Sequence, residues 1–297
     1  MRRVLIAGGS GQVGRALIAS KPEDCEIFSP DSRSFDITDE RSVVRAFASY
    51  APTLVINAAA HTRVDQAETT ARDEAFAVNA DGAGNLARAC RIDQIPMLHL
   101  STDYVFDGSN SAAYNESDRP NPLNVYGESK LAGERQIEDA GAPHLILRVS
   151  WVFSAVGSNF VKTMVGSADR ESLRVVDDQH GTPCAAADIA KVIWDSAPRI
   201  TSNGPRLLMH FASRPPTTWF EFANAIFEEA LELGIVQRTP HIDPVSSVEY
   251  GGVTRRPANS LLDSTALQRF LGFQPPDWRS SLRDVLREIA TSTRDAS

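Results

Sequence analysis

A chain of 297 residues, 42% hydrophobic and 7% aromatic, is long enough for one large α/β domain or for a domain with a smaller partner. Its net charge of −8 argues against nucleic acid, which selects a basic face, and no apolar run approaches the ~20 residues that span a membrane. Cys25, Cys90 and Cys184 are too scattered for a disulfide framework or a Cys-x-x-Cys metal site, and no histidine pair has the spacing of a catalytic zinc site.

The apolar residues after Met1-Arg2-Arg3 are too few for a signal-peptide core, so a cytoplasmic protein with reduced thiols is expected. Short apolar runs then alternate with longer amphipathic stretches, the pattern of βα units on a parallel sheet. The sequence predicts a strand at Val4–Ala7, a helix at Gln12–Ala19, a strand at Cys25–Phe28, a helix at Asp39–Ser49 and a strand at Thr53–Asn57. A long helix is predicted over Ala71–Ile92, where Leu86, Ala89 and Cys90 recur at helical spacing. A strand at Met97–Ser101, a helix at Tyr126–Glu138 and a strand at His144–Val149 follow. Another βα unit is expected from Leu173–Val176, Ala185–Trp194 and Leu207–Phe211.

The texture changes after about residue 150. Pro215-Pro216 opens a helix at Thr217–Leu233, Pro240 to Tyr250 reads as strand and loop, and helices at Ser264–Leu271 and Arg279–Ile289 close the chain. The polar end, Thr291 to Ser297, is expected to fray. The architecture expected is α/β, a doubly wound parallel sheet of Rossmann type with a smaller α/β C-terminal lobe. Residues 1–150, with returning segments near 180–212, make the dinucleotide-binding domain; 151–179 and 213–297 make most of the substrate lobe.

Gly8-Gly9-Ser10-Gly11-Gln12-Val13-Gly14 leaves an apolar strand and opens a helix. Its spacing is G-x-x-G-x-x-G, and the physics is that of a dinucleotide turn: a tight reversal, close backbone approach to a pyrophosphate, and a helix N-terminus aimed at the anion. The second strand is followed by Ser29-Pro30-Asp31-Ser32-Arg33. Arg33 suits stacking on adenine and pairing with a 2′-phosphate, which favours NADPH, whereas Asp31 pulls toward NADH.

Tyr126 and Lys130 lie four residues apart, on one face of the predicted helix. A phenol beside an ammonium can exchange a proton near neutral pH, which an isolated tyrosine with a pKa of about 10 does poorly. The preceding strand ends in Ser101-Thr102-Asp103-Tyr104, at the carboxyl edge where α/β ligands sit. Glycine turn, tyrosine and lysine together point to hydride chemistry on a carbonyl.

The glycine turn, Tyr126-x-x-x-Lys130 and Thr102 resemble the extended short-chain dehydrogenase/reductase superfamily. Four segments narrow the resemblance to the dTDP-4-dehydrorhamnose reductase family: Asn57-Ala58-Ala59-Ala60-His61-Thr62, Ser101-Thr102-Asp103-Tyr104-Val105-Phe106-Asp107-Gly108, Pro122-Leu123-Asn124-Val125-Tyr126-Gly127 and Arg256-Pro257-Ala258-Asn259-Ser260. It implies that Tyr126 protonates the C4 oxygen of a dTDP-4-dehydro sugar as the nicotinamide delivers hydride. Lys130 would hold the nicotinamide ribose and lower the Tyr126 pKa, and Thr102 would orient the carbonyl.

By the same resemblance, Gly8, Ser10, Gly11, Gln12, Val13, Gly14, Ser32, Arg33, Asp36, Ile37 and Ala58 to Ala60 with Ala59 between them would bind the cofactor. His61, Val64, Asp103, Tyr104, Trp151, Arg256 and Asn259 would meet the sugar nucleotide. For Trp151 and His61, packing in the fold is the competing reading. Some relatives hold Mg²⁺ between subunits through an acid after the third glycine. Arg15 stands there in this chain, against a metal-linked pair, although a homodimer is common in the superfamily. A nucleotide-sugar epimerase or dehydratase, and a non-catalytic NADP-binding regulatory subunit like that of methionine adenosyltransferase, share parts of the pattern.

Overall fold

The structure, a computed structural model, describes residues 1–294. Aliphatic runs bounded by turns form strands β1 (Arg2–Ala7), β2 (Cys25–Phe28), β3 (Leu54–Asn57), β4 (Met97–Thr102) and β5 (His144–Val149), with a sixth at Arg206–His210. They pair in parallel in the order Arg206–His210, β5, β4, β3, β1, β2. Helices α1 (Gln12–Ala19), α2 (Glu40–Tyr50), α3 (Val64–Thr69), α4 (Arg72–Phe76), α5 (Ala83–Ile92) and α6 (Val125–Ala140) fill the crossovers. Among the described residues no helix is long and apolar enough to cross a membrane.

Strands β3 and β5 are buried along their whole length, as a parallel sheet covered on both faces requires. Alternation along β1 divides the core. Val4 and Ile6 face a cluster with Leu17 of α1 and Ile189, Ile193 and Trp194 of helix Ala186–Ser196, while Leu5 faces one with Val43 of α2 and Leu86 of α5. A third cluster, built around Phe153, Phe222, Ile226, Trp278 and Leu282, lies under helices Trp219–Glu232 and Trp278–Arg294. The first of these helices opens on a reciprocal cap between Thr218 and Glu221.

Three expectations need correction. The helix expected over Ala71–Ile92 is interrupted: α4 ends at Phe76, a wider π-helical turn runs Ala77–Gly82, and α5 resumes at Ala83. Asn79 in that turn exchanges both bonds with the His61 backbone, at 2.8 and 3.1 Å, and donates to Ser129 Oγ on α6 at 2.9 Å. The wide turn seats Asn79 where α6 passes close. A Cβ at Gly133 would lie 2.1 Å from the Asn79 carbonyl oxygen. Strand Ser172–Val176 does not continue the main sheet; it pairs in parallel with His241–Val245 and belongs to the outer lobe. The last helix carries Thr291 through Arg294, and the rest of the expected frayed end, 295–297, lies outside the described residues.

Helix α6 is fastened at both ends and in the middle. Asn124 caps it by accepting the Gly127 N–H, Glu68 Oε2 takes the Val125 N–H at 3.0 Å, and Gly141 closes it in the left-handed region. In its middle, Glu134 accepts Arg148 of β5 through both oxygens at 2.9 and 2.6 Å and Ser101 Oγ of β4 at 2.5 Å. All three side chains are buried. Arg148 also lies over the Phe106 ring at 5.1 Å and donates to His210 Nε2 at 3.3 Å.

Removing one partner of this pair leaves a buried charge unanswered. Glu134→Gln and Arg148→Met are each expected to lower unfolding free energy by about 3–5 kcal/mol. In chemical denaturation the double variant should lose clearly less than the two single losses combined; strict additivity would mean that the pair does not act as a unit.

Candidate active site

The glycine turn closes at the carboxyl end of β1. Gly8 takes a φ of 79°, and a Cβ on it would sit 2.4 Å from Ala59 N, so the turn and the Ala58–Ala59 segment after β3 are in backbone contact. Gly14 is as constrained, since its Cβ would fall 2.2 Å from Gly8 O. Helix α1 starts after Gly11 with no capping side chain and no acid in its first turn. Its first N–H groups therefore keep the partial positive charge that binds phosphate. Ser10 and Gly11 are exposed, Val13 is buried, and Gln12 Oε1 accepts Ser154 Oγ and Asn159 Nδ2, each at 2.9 Å. These two bonds tie the turn to the outer lobe across 142 and 147 residues of chain.

Beyond β2, Ser32 and Arg33 are exposed. The Asp31 carboxylate is turned back on its own loop, accepting the Ser34 N–H at 2.9 Å, and those bonds hold it below the usual range. Asp36 likewise accepts Thr38 N–H and Oγ1, while Ile37 is buried against Gly82. Ala58, Ala59 and Ala60 are half-buried and small, leaving the rim of the turn open.

Thr102 ends β4 and Asp103 opens the short turn after it; both are buried. Thr102 Oγ1 accepts the Tyr104 N–H at 3.2 Å and donates to Asp103 Oδ1 at 3.1 Å. Gly127 brings α6 against this corner; its Cβ would lie 2.1 Å from Tyr104 O. Tyr126 is then half-buried, edge-on to the Tyr104 ring at 5.8 Å. Burial pushes the Tyr126 phenol up to about 12, the Thr102 side chain pulls it back, and Asp103 adds a push upward. The carboxyl of Asp103 is itself pushed up to about 7 by burial, with Ser260 and Thr102 opposing.

Lys130 is the more deeply buried of the pair. It lies on the same face as Tyr126, one turn on, but its Nζ is buried against β4, 2.6 Å from Leu100 O and 3.3 Å from His99 Nε2. Burial lowers its pKa to about 8 and Glu134 raises it. The phenol of Tyr126 is shifted first by burial, with Thr102 lowering it and Asp103 raising it.

His61 is buried with Nδ1 3.5 Å from Glu74 Oε1, and among the described residues its Nε2 and Asp103 Oδ2 lack a hydrogen-bond partner. Val64 is half-buried at the head of α3, and Arg256 pairs with Asp65 at 3.5 Å. Asn259 is a correction: its amide donates to Asn110 O and Ala112 O and accepts the Leu261 N–H, so it clasps the loop after β4 and has little left for a ligand. Trp151, at φ 43°, stacks on Trp219 at 3.7 Å over the outer-lobe core, which favours the packing reading.

Among the described residues no group of three His, Cys, Asp or Glu side chains is placed to hold a metal ion. Arg15 folds onto the glycine turn, donating to Ser10 O at 3.0 Å. An apolar groove of about 630 Å³ lined by Val44, Phe47 and Ile92 lies beside the segments that lead into β3 and β4, at the sheet edge opposite the site.

A parallel sheet with an uncapped glycine turn beside a threonine–tyrosine–lysine corner defines the class: an extended short-chain dehydrogenase/reductase. The profile of the RmlD substrate binding domain family matches residues 1–291. The dTDP-4-dehydrorhamnose reductase of Aggregatibacter actinomycetemcomitans is 40% identical over 96% of this chain and 98% of its own. That of Escherichia coli strain K12 is 36% identical over 98% and 99%. A Bacillus anthracis dTDP-4-dehydrorhamnose reductase, solved in complex with NADP, superposes with a TM-score of 0.88 at 36% identity, covering 97% of this chain and 99% of that one. The chain belongs to the dTDP-4-dehydrorhamnose reductase family.

Asp103 yields a pH prediction. The folded carboxyl, at about 7, holds its proton more tightly than an unfolded aspartate at about 3.9, so stability falls as pH rises through that window. Asp103→Asn keeps the shape and never ionises. Its unfolding midpoint should exceed the parent's at about pH 8 and approach it at about pH 4. An advantage that does not change with pH would refute the buried, protonated carboxyl.

Proposed function

We propose that this chain reduces the C4 ketone of dTDP-4-dehydro-L-rhamnose to dTDP-L-rhamnose with NADPH. The observation that carries this reading is the corner where the Thr102 hydroxyl, the Asp103 carboxyl and the Tyr126 phenol meet at the carboxyl end of β4, in a chain whose relatives include named reductases of that ketone. Those relatives do not favour an epimerase, a dehydratase or a regulatory subunit.

The residues present fit a dinucleotide. The uncapped head of α1 offers N–H groups to the pyrophosphate, and Gly8 and Gly14 let backbone approach it without side chains in the way. Ser32 and Arg33 stand exposed beyond β2, while Asp31 is engaged with its own loop. That arrangement supports pairing of Arg33 with a 2′-phosphate and hence a preference for NADPH. A bound nicotinamide supplies the hydride.

The remaining chemistry belongs to the chain. Negative charge develops on the ketone oxygen, and donors already aimed at it stabilise that charge. Tyr126 gives the proton; with its phenol near 12 it is fully protonated at neutral pH and ready to act as acid. Thr102 orients the oxygen, and Lys130 holds the ribose side of the site. His61 and Asp103 meet sugar hydroxyls with their unpartnered atoms, Tyr104 walls the ring, and Arg256, beside Val64 and Asp65, reaches the diphosphate. Among the described residues, the lobe of 151–179 and from 213 onward closes the sugar side, joined to the turn through Gln12.

NADPH consumption should depend on dTDP-4-dehydro-L-rhamnose and yield dTDP-L-rhamnose; absence of turnover with tight NADP binding would leave a binding protein instead. Tyr126→Phe should lower kcat by about 10²–10⁴-fold with cofactor affinity nearly intact. A variant that kept most of its rate would require another acid. Arg33→Ala should raise KM for NADPH more than for NADH, and an equal rise for both would remove the 2′-phosphate argument.

A further inference from the structure

The bond from Asn159 to Gln12 fixes more than the separation of turn and lobe. Asn159 caps helix Phe160–Val165, where its Oδ1 accepts the Lys162 N–H at 3.1 Å. That bond settles which end of the Asn159 amide is oxygen, so Nδ2 faces the other way. Its two protons go to Gln12 Oε1 at 2.9 Å and to Ser154 O at 2.8 Å. A donor needs an acceptor opposite it. The Gln12 atom facing the lobe is therefore its oxygen, and its NH₂ group is turned away from the lobe.

Ser154 contributes less to this hold. Its hydroxyl has one proton for two acceptors, Gln12 Oε1 at 2.9 Å and Val156 O at 2.8 Å. Asn159 is the firmer anchor, because the helix it caps is seated in the outer-lobe core. Val161 and Met164 are buried there, and the Phe160 ring lies 4.7 Å from that of Trp219. Gly157, at φ 73°, closes over the Gln12 stem; a Cβ on it would sit 3.3 Å from Gln12 Cγ. Stem and amide are both held from the lobe side.

Gln12 is also the first residue of α1, whose leading N–H groups have no side-chain cap. Among the described residues its Nε2 has no hydrogen-bond partner, and that atom is open to solvent. We infer that Asn159 is a positioning residue for the cofactor: from the substrate lobe it holds the Gln12 carboxamide with its NH₂ group toward the diphosphate. A reversed amide would present an oxygen to the anion and lose both donors there. Gln12 is an expected cofactor residue, but Asn159, 147 residues further along the chain, is not. The inference rests on a dinucleotide binding at the glycine turn, and not on which sugar is reduced.

The test is direct binding of NADPH and of NADH to the whole protein without sugar, followed by nucleotide fluorescence. Asn159→Ser keeps a capping oxygen on helix Phe160–Val165 and removes the donor to Gln12. It should raise Kd for both nucleotides by about tenfold, since the diphosphate is common to them, whereas Arg33→Ala separates the two. Gln12→Met should do the same, and the double variant should bind no more weakly than Gln12→Met alone. Gln12→Glu still accepts from Asn159 but offers no donor, and should bind more weakly than Gln12→Met.

Losses that multiply in the double variant overturn the inference, as does a Gln12→Glu protein that binds like the parent. Affinity for dTDP should be unchanged in Asn159→Ser. A parallel loss there would mean that Asn159 only keeps the lobe folded, and overturns the inference too. In the parent, the Gln12 side-chain amide resonances should shift when NADPH is added; if they stay in place the inference fails, whatever the variants do. A parent that binds neither nucleotide overturns the dinucleotide reading itself and this inference with it.

Discussion

The site depends on one buried contact, the grip of Glu134 by Arg148 and Ser101. It binds α6 to β5 and β4 at a single point of the helix, in a core where an unmatched charge is costly. Once Glu134 is fixed, helical geometry fixes what lies one and two turns earlier on the same face: Lys130 against Leu100 and His99, then Tyr126 beside Thr102. A replacement by apolar residues of equal volume would satisfy the core as well. The ion pair instead specifies register, because a helix rotated or shifted by one residue would bury both charges unpaired.

The same logic governs the glycine positions. Gly8, Gly14, Gly127 and Gly133 each stand where another backbone passes within 2.1 to 2.4 Å of the missing Cβ. Two draw the phosphate turn together, one brings Tyr126 to the end of β4, and one lets α6 cross the π-helical turn at Asn79. Close approach of backbones, more than turn conformation, accounts for these four.

Electrostatically the site is a set of groups held away from their charged forms. Tyr126, Asp103, His99 and Lys130 are each pushed toward neutrality first by burial. Donors that are not already engaged by counter-ions suit an oxygen that acquires negative charge only during the reaction. In the folded chain the Leu100 carbonyl and His99 take the amine first.

The chain itself announced the glycine turn, the strand endings and the tyrosine–lysine spacing, because each is a local pattern with a fixed period or a fixed place after a strand. The parallel sheet followed from alternating runs for the same reason. Polar residues inside apolar strands, Asn57, His99 and Arg148, were a visible signal that passed unused; each had to find a buried partner. Which partner it found, where the long helix widened, why Asn259 clasps a loop, and why Ser172–Val176 left the main sheet were decided by contacts between residues distant in sequence. Local pattern sets what a segment can be, but donors and acceptors are matched only when the segments meet.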